Sequence, residues 1–249
     1  MKKTNLVYIH GLGVSEKHSN LIFQYLGKRN FNIISIGLPG SPTCKYKRLT
    51  SINQWAAWLD EKLKTLDVED YILIGWSFGG LVIQQYAQKH RDRKLQGVVC
   101  WSTPFYGIQN FVKVAYNLFL KVHDNETFKK TVRVVIENLE KNGVALSQQD
   151  IYDIEHSDPR FMLNGISVIE KFKSSFQSAN FKQLIIADPF DVICSNKTIE
   201  NLENAVKSST ETKLQIIKHS GHGGTLIGIE NANIEIQSFI KSLRNNAGK

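Results

Sequence analysis

The sequence predicts an α/β fold: a mostly parallel sheet of about six strands, helices on both faces, and an inserted helical cap. Three observations predict it. Short runs that are apolar on both faces alternate with segments of helical spacing, as strands sandwiched between two helix layers must. Most of these runs stop at glycines, prolines or polar turns. One stretch, from about residue 105 to 181, abandons the alternation and reads as helix throughout.

The first strand is Leu6-Val7-Tyr8-Ile9, halted by His10-Gly11-Leu12-Gly13. A helix is expected over Ser19 to Arg29, with Leu21, Ile22, Tyr25 and Leu26 on one face. The second strand, Asn32 to Ile36, is broken by Gly37, Pro39, Gly40 and Pro42. Ser51 is placed to cap a helix carrying Trp55, Trp58, Leu59 and Leu63. Tyr71-Ile72-Leu73-Ile74 is the third strand, Gly80 to Lys89 the next helix, and Gly97 to Trp101 the fourth strand. Gln183 to Ala187 and Lys213 to Ile217 complete the sheet, followed by helices at Thr198 to Val206 and Ile229 to Leu243. The intervening block divides into Phe111 to Val122, Glu126 to Lys141, Ser147 to His156 and Asp158 to Phe176. The expected organisation is a core domain of residues 1–104 and 182–249 with a cap of residues 105–181. The block leaves a strand's carboxyl end, where open parallel sheets bind ligands, which favours a cap over a helical subdomain that only adds core.

Composition narrows the function classes. With 42% hydrophobic and 22% charged residues, the chain has the profile of a globular protein with a large core. The formal charge of +8 comes largely from Lys and Arg scattered through the first fifth, without one basic face interleaved with aromatics. Solubility explains that charge better than nucleic-acid binding. No apolar run approaches the ~18 residues of a membrane span, and the apolar stretch before His10 is too short for a signal peptide. Cys44, Cys100 and Cys194 lie far apart without metal spacing and read as reduced thiols in a cytoplasm. No H-E-x-x-H or similar ligand pair is present, so no metal is expected.

The motif that carries chemistry is Gly75-Trp76-Ser77-Phe78-Gly79. It follows an apolar strand and opens a helix, the context a G-x-S-x-G nucleophile turn requires. Glycines two before and two after the serine leave room for a tight turn that lifts the hydroxyl clear of the sheet. The plain alternative is a glycine-rich turn with an N-cap serine. A serine hydroxyl needs a base, and the base an orienting carboxylate. After the fifth strand come Asp188 and Asp191, in Asp188-Pro189-Phe190-Asp191; after the last strand come His219 and His222, in His219-Ser220-Gly221-His222. His18, His90, His123 and His156 sit in polar helical or loop contexts and read as ordinary.

These residues resemble those of the α/β-hydrolase family, and the resemblance covers nearly the whole chain. It implies Ser77 as nucleophile, Asp191 as the acid and His222 as base, in that chain order. Asp188 stands where the family has a glycine. His10-Gly11-Leu12-Gly13 resembles the oxyanion loop, which implies that the backbone N–H groups of Leu12 and Phe78 hold the developing oxyanion, with His10 ordering the loop. The implied reaction is acyl transfer to water without a cofactor. The segment around Ser77 is similar to carboxylesterases that act on a methyl ester of pimeloyl-acyl-carrier protein. That resemblance implies a small-molecule acyl ester as substrate and an acidic carrier protein as partner. Lys113, Lys121, Lys129, Lys130 and Arg133 offer basic groups on the cap, although the interspersed Glu126, Glu137 and Glu140 suit a solvated helix face equally. Trp76, Phe105, Tyr106 and Phe111 are candidates for an acyl pocket, or, for the last three, core packing. A thioesterase, a C–C bond hydrolase, or a ligand receptor with little turnover would use the same residues.

Overall fold

The computed structural model describes every residue except 1–2, 28–29, 91, 93, 111, 113, 115–124, 143, 145, 173–180, 195–196, 208, 223–224 and 247–249. Six strands form one parallel sheet: β1 (Thr4–Ile9), β2 (Phe31–Ile36), β3 (Tyr71–Trp76), β4 (Leu95–Trp101), β5 (Gln183–Ala187) and β6 (Thr212–Ile216), in the order β2-β1-β3-β4-β5-β6. Eight helices are described: α1 (Ser19–Ile22), α2 (Ile52–Leu66), α3 (Phe78–Lys89), α4 (Asn125–Lys141), α5 (Gln148–His156), α6 (Pro159–Lys171), α7 (Thr198–Val206) and α8 (Leu226–Asn246).

The period-two alternation of strand side chains sorts the core into two layers. Val7, Ile9 and Leu73 face α2, α3 and α7 through Trp55, Leu81 and Leu202. Leu6, Tyr8, Ile72 and Ile74 face the other way, onto Ile22 of α1 and Ile229 and Ile236 of α8. Every residue of β3 is buried, which is why the central strand reads as an unbroken apolar run. None of the described helices is long and apolar enough to cross a membrane.

The strand order reverses between β1 and β3, and open α/β sheets bind ligands at the carboxyl ends flanking such a switch point. The loop after β1 and the turn into α3 both lie there. Above it stand α4, α5 and α6, inserted between β4 and β5. Capping residues set the starts of two of these: Ser147 and Asp150 form a reciprocal capping box on α5, and Asp158 caps α6 ahead of Pro159. Polar and apolar contacts seat the block. Asp153 of α5 accepts from Ser15 N (2.8 Å) and Ser15 Oγ (2.6 Å). Asn164 of α6 donates to the Tyr46 hydroxyl at 2.7 Å, and Phe161 packs into the core beside Trp55.

Two helices differ from expectation. The helix expected over Ser19 to Arg29 stops at Ile22, because the chain tightens into turns bonded Gln24 N to Leu21 O and Leu26 N to Phe23 O. This turns Phe23 and Leu26 onto the sheet and leaves Tyr25 42% exposed, where continuous helical spacing had put Tyr25 inside. The helix expected over Asp158 to Phe176 ends at Lys171. The helix expected over Phe111 to Val122 lies almost wholly outside the described residues.

Candidate active site

Ser77 occupies the sharp turn between β3 and α3 with φ 53° and ψ −121°, a conformation that side-chain-bearing residues rarely adopt. Backbone proximity makes the flanking glycines necessary. A Cβ on Gly75 would sit 2.6 Å from the Gly79 carbonyl, and one on Gly79 would run into the Ile9 carbonyl of β1. The turn is held to the next strand by Ser77 N donating to Trp101 O at 2.9 Å.

His222 reaches this serine from the loop between β6 and α8. Its Nε2 lies 2.9 Å from Ser77 Oγ, and its Nδ1 lies 2.8 Å from Asp191 Oδ2 and 3.0 Å from Oδ1. Asp191 is fixed in turn, since Oδ1 accepts from Ile193 N (2.9 Å) and Cys194 N (3.1 Å). The structure therefore brings Ser77, His222 and Asp191 into one hydrogen-bonded line, with side chains of His222 and Asp191 only 8% and 3% exposed. Such an arrangement can draw a proton from the hydroxyl as the imidazole gains one, with the charge held beside a carboxylate.

Asp188, the other acid after β5, sits elsewhere. Its Oδ2 accepts from Gly221 N (2.6 Å) and Ser220 Oγ (3.1 Å), and its Oδ1 accepts from Phe190 N. It ties the loop that carries His222 to the end of β5. His219 stacks on exposed Phe190, with ring centroids 4.6 Å apart, and takes no part in the line.

The loop after β1 is organised by His10. Its ring is buried and spans two loops, with Nδ1 donating to Gly11 O (2.8 Å) and Nε2 accepting from Leu38 N (2.9 Å). Burial lowers its pKa to about 4, so it stays neutral and can keep both bonds. Leu12 packs on Gly165 of α6, which couples this loop to the helical block. Phe78 is the first residue of α3, so its N–H is one of the four with no acceptor inside the helix.

A family of hydrolases described as "Serine aminopeptidase, S33" matches residues 2–225. The chain belongs to that family. Among relatives of this hydrolase is a pimeloyl-[acyl-carrier protein] methyl ester esterase of Vibrio vulnificus, 24% identical over 98% of this chain and 94% of that protein. The protein of the same name from Aeromonas hydrophila subsp. hydrophila is 26% identical, but the match spans 61% of this chain and only 59% of that protein. An esterase structure from Rhodococcus sp. ECU1013 covers 97% of this chain and 91% of its own, with a TM-score of 0.77 at 18% identity. The fold of the hydrolase is thus that of the α/β hydrolases.

Between the sheet ends and the helical block of this hydrolase lies a cleft with about 1290 Å³ of empty space, counted out to open solvent. Ser77, His222 and Trp76 form part of its floor, and its walls are mainly apolar, with Val135 and Leu139 of α4, Ile154 of α5, and Met162 and Ile166 of α6. Trp76 donates Nε1–H to His222 O at 3.1 Å and so steadies the loop as well as facing the cleft.

Two of the expected pocket residues are placed away from the cleft. Phe105 is 1% exposed, packed near Phe172 at 6.3 Å, and its neighbours Pro104 and Ile108 line the cleft instead. Tyr106 points toward α7, where its hydroxyl approaches Asn201 O. After β4 the chain turns with Gly107 N bonded to Pro104 O, and both aromatic side chains pack onto the core layer that holds Trp55 and Leu81, which aromatic content alone did not reveal. Phe111 lies outside the described residues. Sequence reasoning also missed His18. It is not in a polar setting but buried at the cleft wall, stacked on Trp76 with centroids 4.2 Å apart.

Proposed function

We propose that this hydrolase is a serine carboxylesterase that cleaves esters of apolar acyl groups through an acyl–Ser77 intermediate. The observation that carries the reading is the Ser77–His222–Asp191 line opening on an apolar cleft. Ser77 Oγ attacks the ester carbonyl while His222 Nε2 takes its proton. Asp191 orients the ring and stabilises the imidazolium. The N–H groups of Leu12 and Phe78 receive the oxyanion, a contribution worth about 3 kcal/mol of barrier per donor in such sites. The imidazolium then returns the proton to the departing alcohol. Water, deprotonated by His222, releases the acid and restores Ser77. No cofactor enters this scheme.

Residues 105–181 act in this reading as a cap that encloses the acyl group. One helix of the cap supports an acyl-carrier-linked substrate. The inner face of α4 lines the cleft through Val135 and Leu139, while Lys129, Lys130 and Arg133 are exposed on its outer side. An acidic carrier docked there would deliver its acyl group over the rim. The three cysteines are unpaired, two of them buried, which suits a reducing cytoplasm.

The deciding experiment is turnover of p-nitrophenyl esters from acetate through decanoate beside Ser77→Ala. Sustained hydrolysis that the substitution abolishes is the expected result. A single stoichiometric burst would identify a receptor instead, and turnover indifferent to Ser77 would overturn the nucleophile.

A further inference from the structure

His18 is a buried polar side chain with one ring nitrogen that neither the fold nor the proposed reaction uses. It ends a short 3-10 turn (Glu16–His18), is 6% exposed, and lies flat against the Trp76 indole. Its Nδ1 meets the Tyr8 hydroxyl at 2.8 Å. Tyr8 has no exposure to solvent, and His18 is the one hydrogen-bond partner of its hydroxyl among the described residues. A buried hydroxyl hydrogen needs an acceptor, so Tyr8 donates and Nδ1 accepts. The ring proton therefore resides on Nε2. Burial holds the ring's pKa down to about 3, which keeps that single-proton form across the physiological range.

Among the described residues nothing hydrogen-bonds to Nε2. The atom is also absent from the polar atoms sealed away inside the protein, and His18 lines the cleft. A neutral N–H donor thus faces an apolar cavity beside the residue that precedes Ser77. Resting on the esterase reading, we propose that His18 is a specificity-determining residue whose Nε2–H receives an uncharged oxygen acceptor of the substrate, a second carbonyl besides the scissile one. The acceptor is uncharged because the donor is neutral and the Asp150 carboxylate lines the same cleft and repels an anion. The substrate class narrows accordingly, from plain alkyl esters to esters whose acyl chain carries a carbonyl oxygen. The stack on Trp76 fixes the donor's direction, so the preferred acceptor position along the chain should be a narrow one.

The test separates this inference from ester hydrolysis by measuring binding without turnover. In a Ser77→Ala background, calorimetry would compare ethyl hexanoate with ethyl 3-, 4- and 5-oxohexanoate, with and without His18→Phe, which retains a ring to stack on Trp76. At one ketone position the affinity relative to ethyl hexanoate should fall about tenfold on losing the imidazole, the scale of one hydrogen bond to a buried donor. Unchanged ratios at every position, or equal losses for all four esters, would overturn the proposal. Nitrogen NMR of histidine-labelled, otherwise unaltered protein supplies a second reading. An Nε2–H tautomer whose signal moves on adding the preferred oxo ester is expected; an Nδ1–H tautomer, or no movement with any of the three, refutes it.

Discussion

The floor and the roof of the cleft are built on different physical terms. The floor is set by backbone approach and directional hydrogen bonds: a strained serine, glycines that would clash if substituted, and a chain of side-chain hydrogen bonds from Asp191 to His222 to Ser77. The roof is set by side-chain packing. Phe128, Val132, Val135, Ile136 and Ile154 form a small apolar cluster of their own, separate from the two layers on the sheet. Backbone approach and directional hydrogen bonds admit few residue types, whereas packing admits any apolar set of suitable volume. A floor of this kind fixes the chemistry, and a roof of this kind is free to vary the substrate.

That contrast can be broken most severely at the floor. Asp191→Asn should lower kcat by about 10⁴-fold, because the imidazole loses both its orientation and its counter-charge. Asp188→Asn, which touches only the loop, should cost far less. A larger loss from Asp188→Asn than from Asp191→Asn in p-nitrophenyl butyrate hydrolysis would reverse their roles.

Acid stability probes the two buried histidines beside the floor. His10 and His18 have folded pKa values lowered by burial to about 4 and about 3, against about 6.5 in the unfolded chain. Between pH 6.5 and 4 the unfolded chain therefore holds more protons, and stability falls as pH falls, by about 1.4 kcal/mol per pH unit for each ring. Urea midpoints measured at pH 7, 6 and 5 should decline, and His18→Phe should flatten the decline. A variant with the same slope would remove His18 from the account.

At the roof the effects should be smaller and confined to selectivity. Leu139→Trp fills cleft volume under α4, and kcat/KM for decanoate should drop about tenfold relative to butyrate, as the loss of one or two buried methylenes implies. An unaltered chain-length profile would take α4 out of the acyl site. The smallest effect is expected outside. Reversing Lys129, Lys130 and Arg133 to Glu should slow turnover of a carrier-linked ester by about two- to fivefold through weaker steering, and leave small esters alone. Equal losses on both would remove the carrier from the proposal.

The same contrast explains what the sequence made legible. Strands buried on both faces betray themselves as apolar runs, and all six stand near where their runs predict. The turn at Ser77 is legible because glycine is forced there. Asp188 and Asp191 were harder, being two carboxylates after one strand. A turn bonded Asp191 N to Asp188 O separates them in space, directing one to the loop backbone and the other to the imidazole. His18 was illegible because its neighbours Glu16, Lys17 and Ser19 are polar, and only the short 3-10 turn swings it inward. Phe105 and Tyr106 misled because an aromatic side chain suits a core as well as a pocket.

Trp76 has a practical consequence. The chain has four tryptophans, at positions 55, 58, 76 and 101, and only Trp76 lines the cleft. The other three are packed in the interior, at 5% exposure or less. Its indole is polarised by a hydrogen bond to the His222 carbonyl and covered by the His18 ring. Any molecule that enters the cleft changes the dielectric around one emitter while three others provide a constant background. The protein thus carries an intrinsic optical reporter of its own occupancy, able to follow acyl-group arrival and departure without a label.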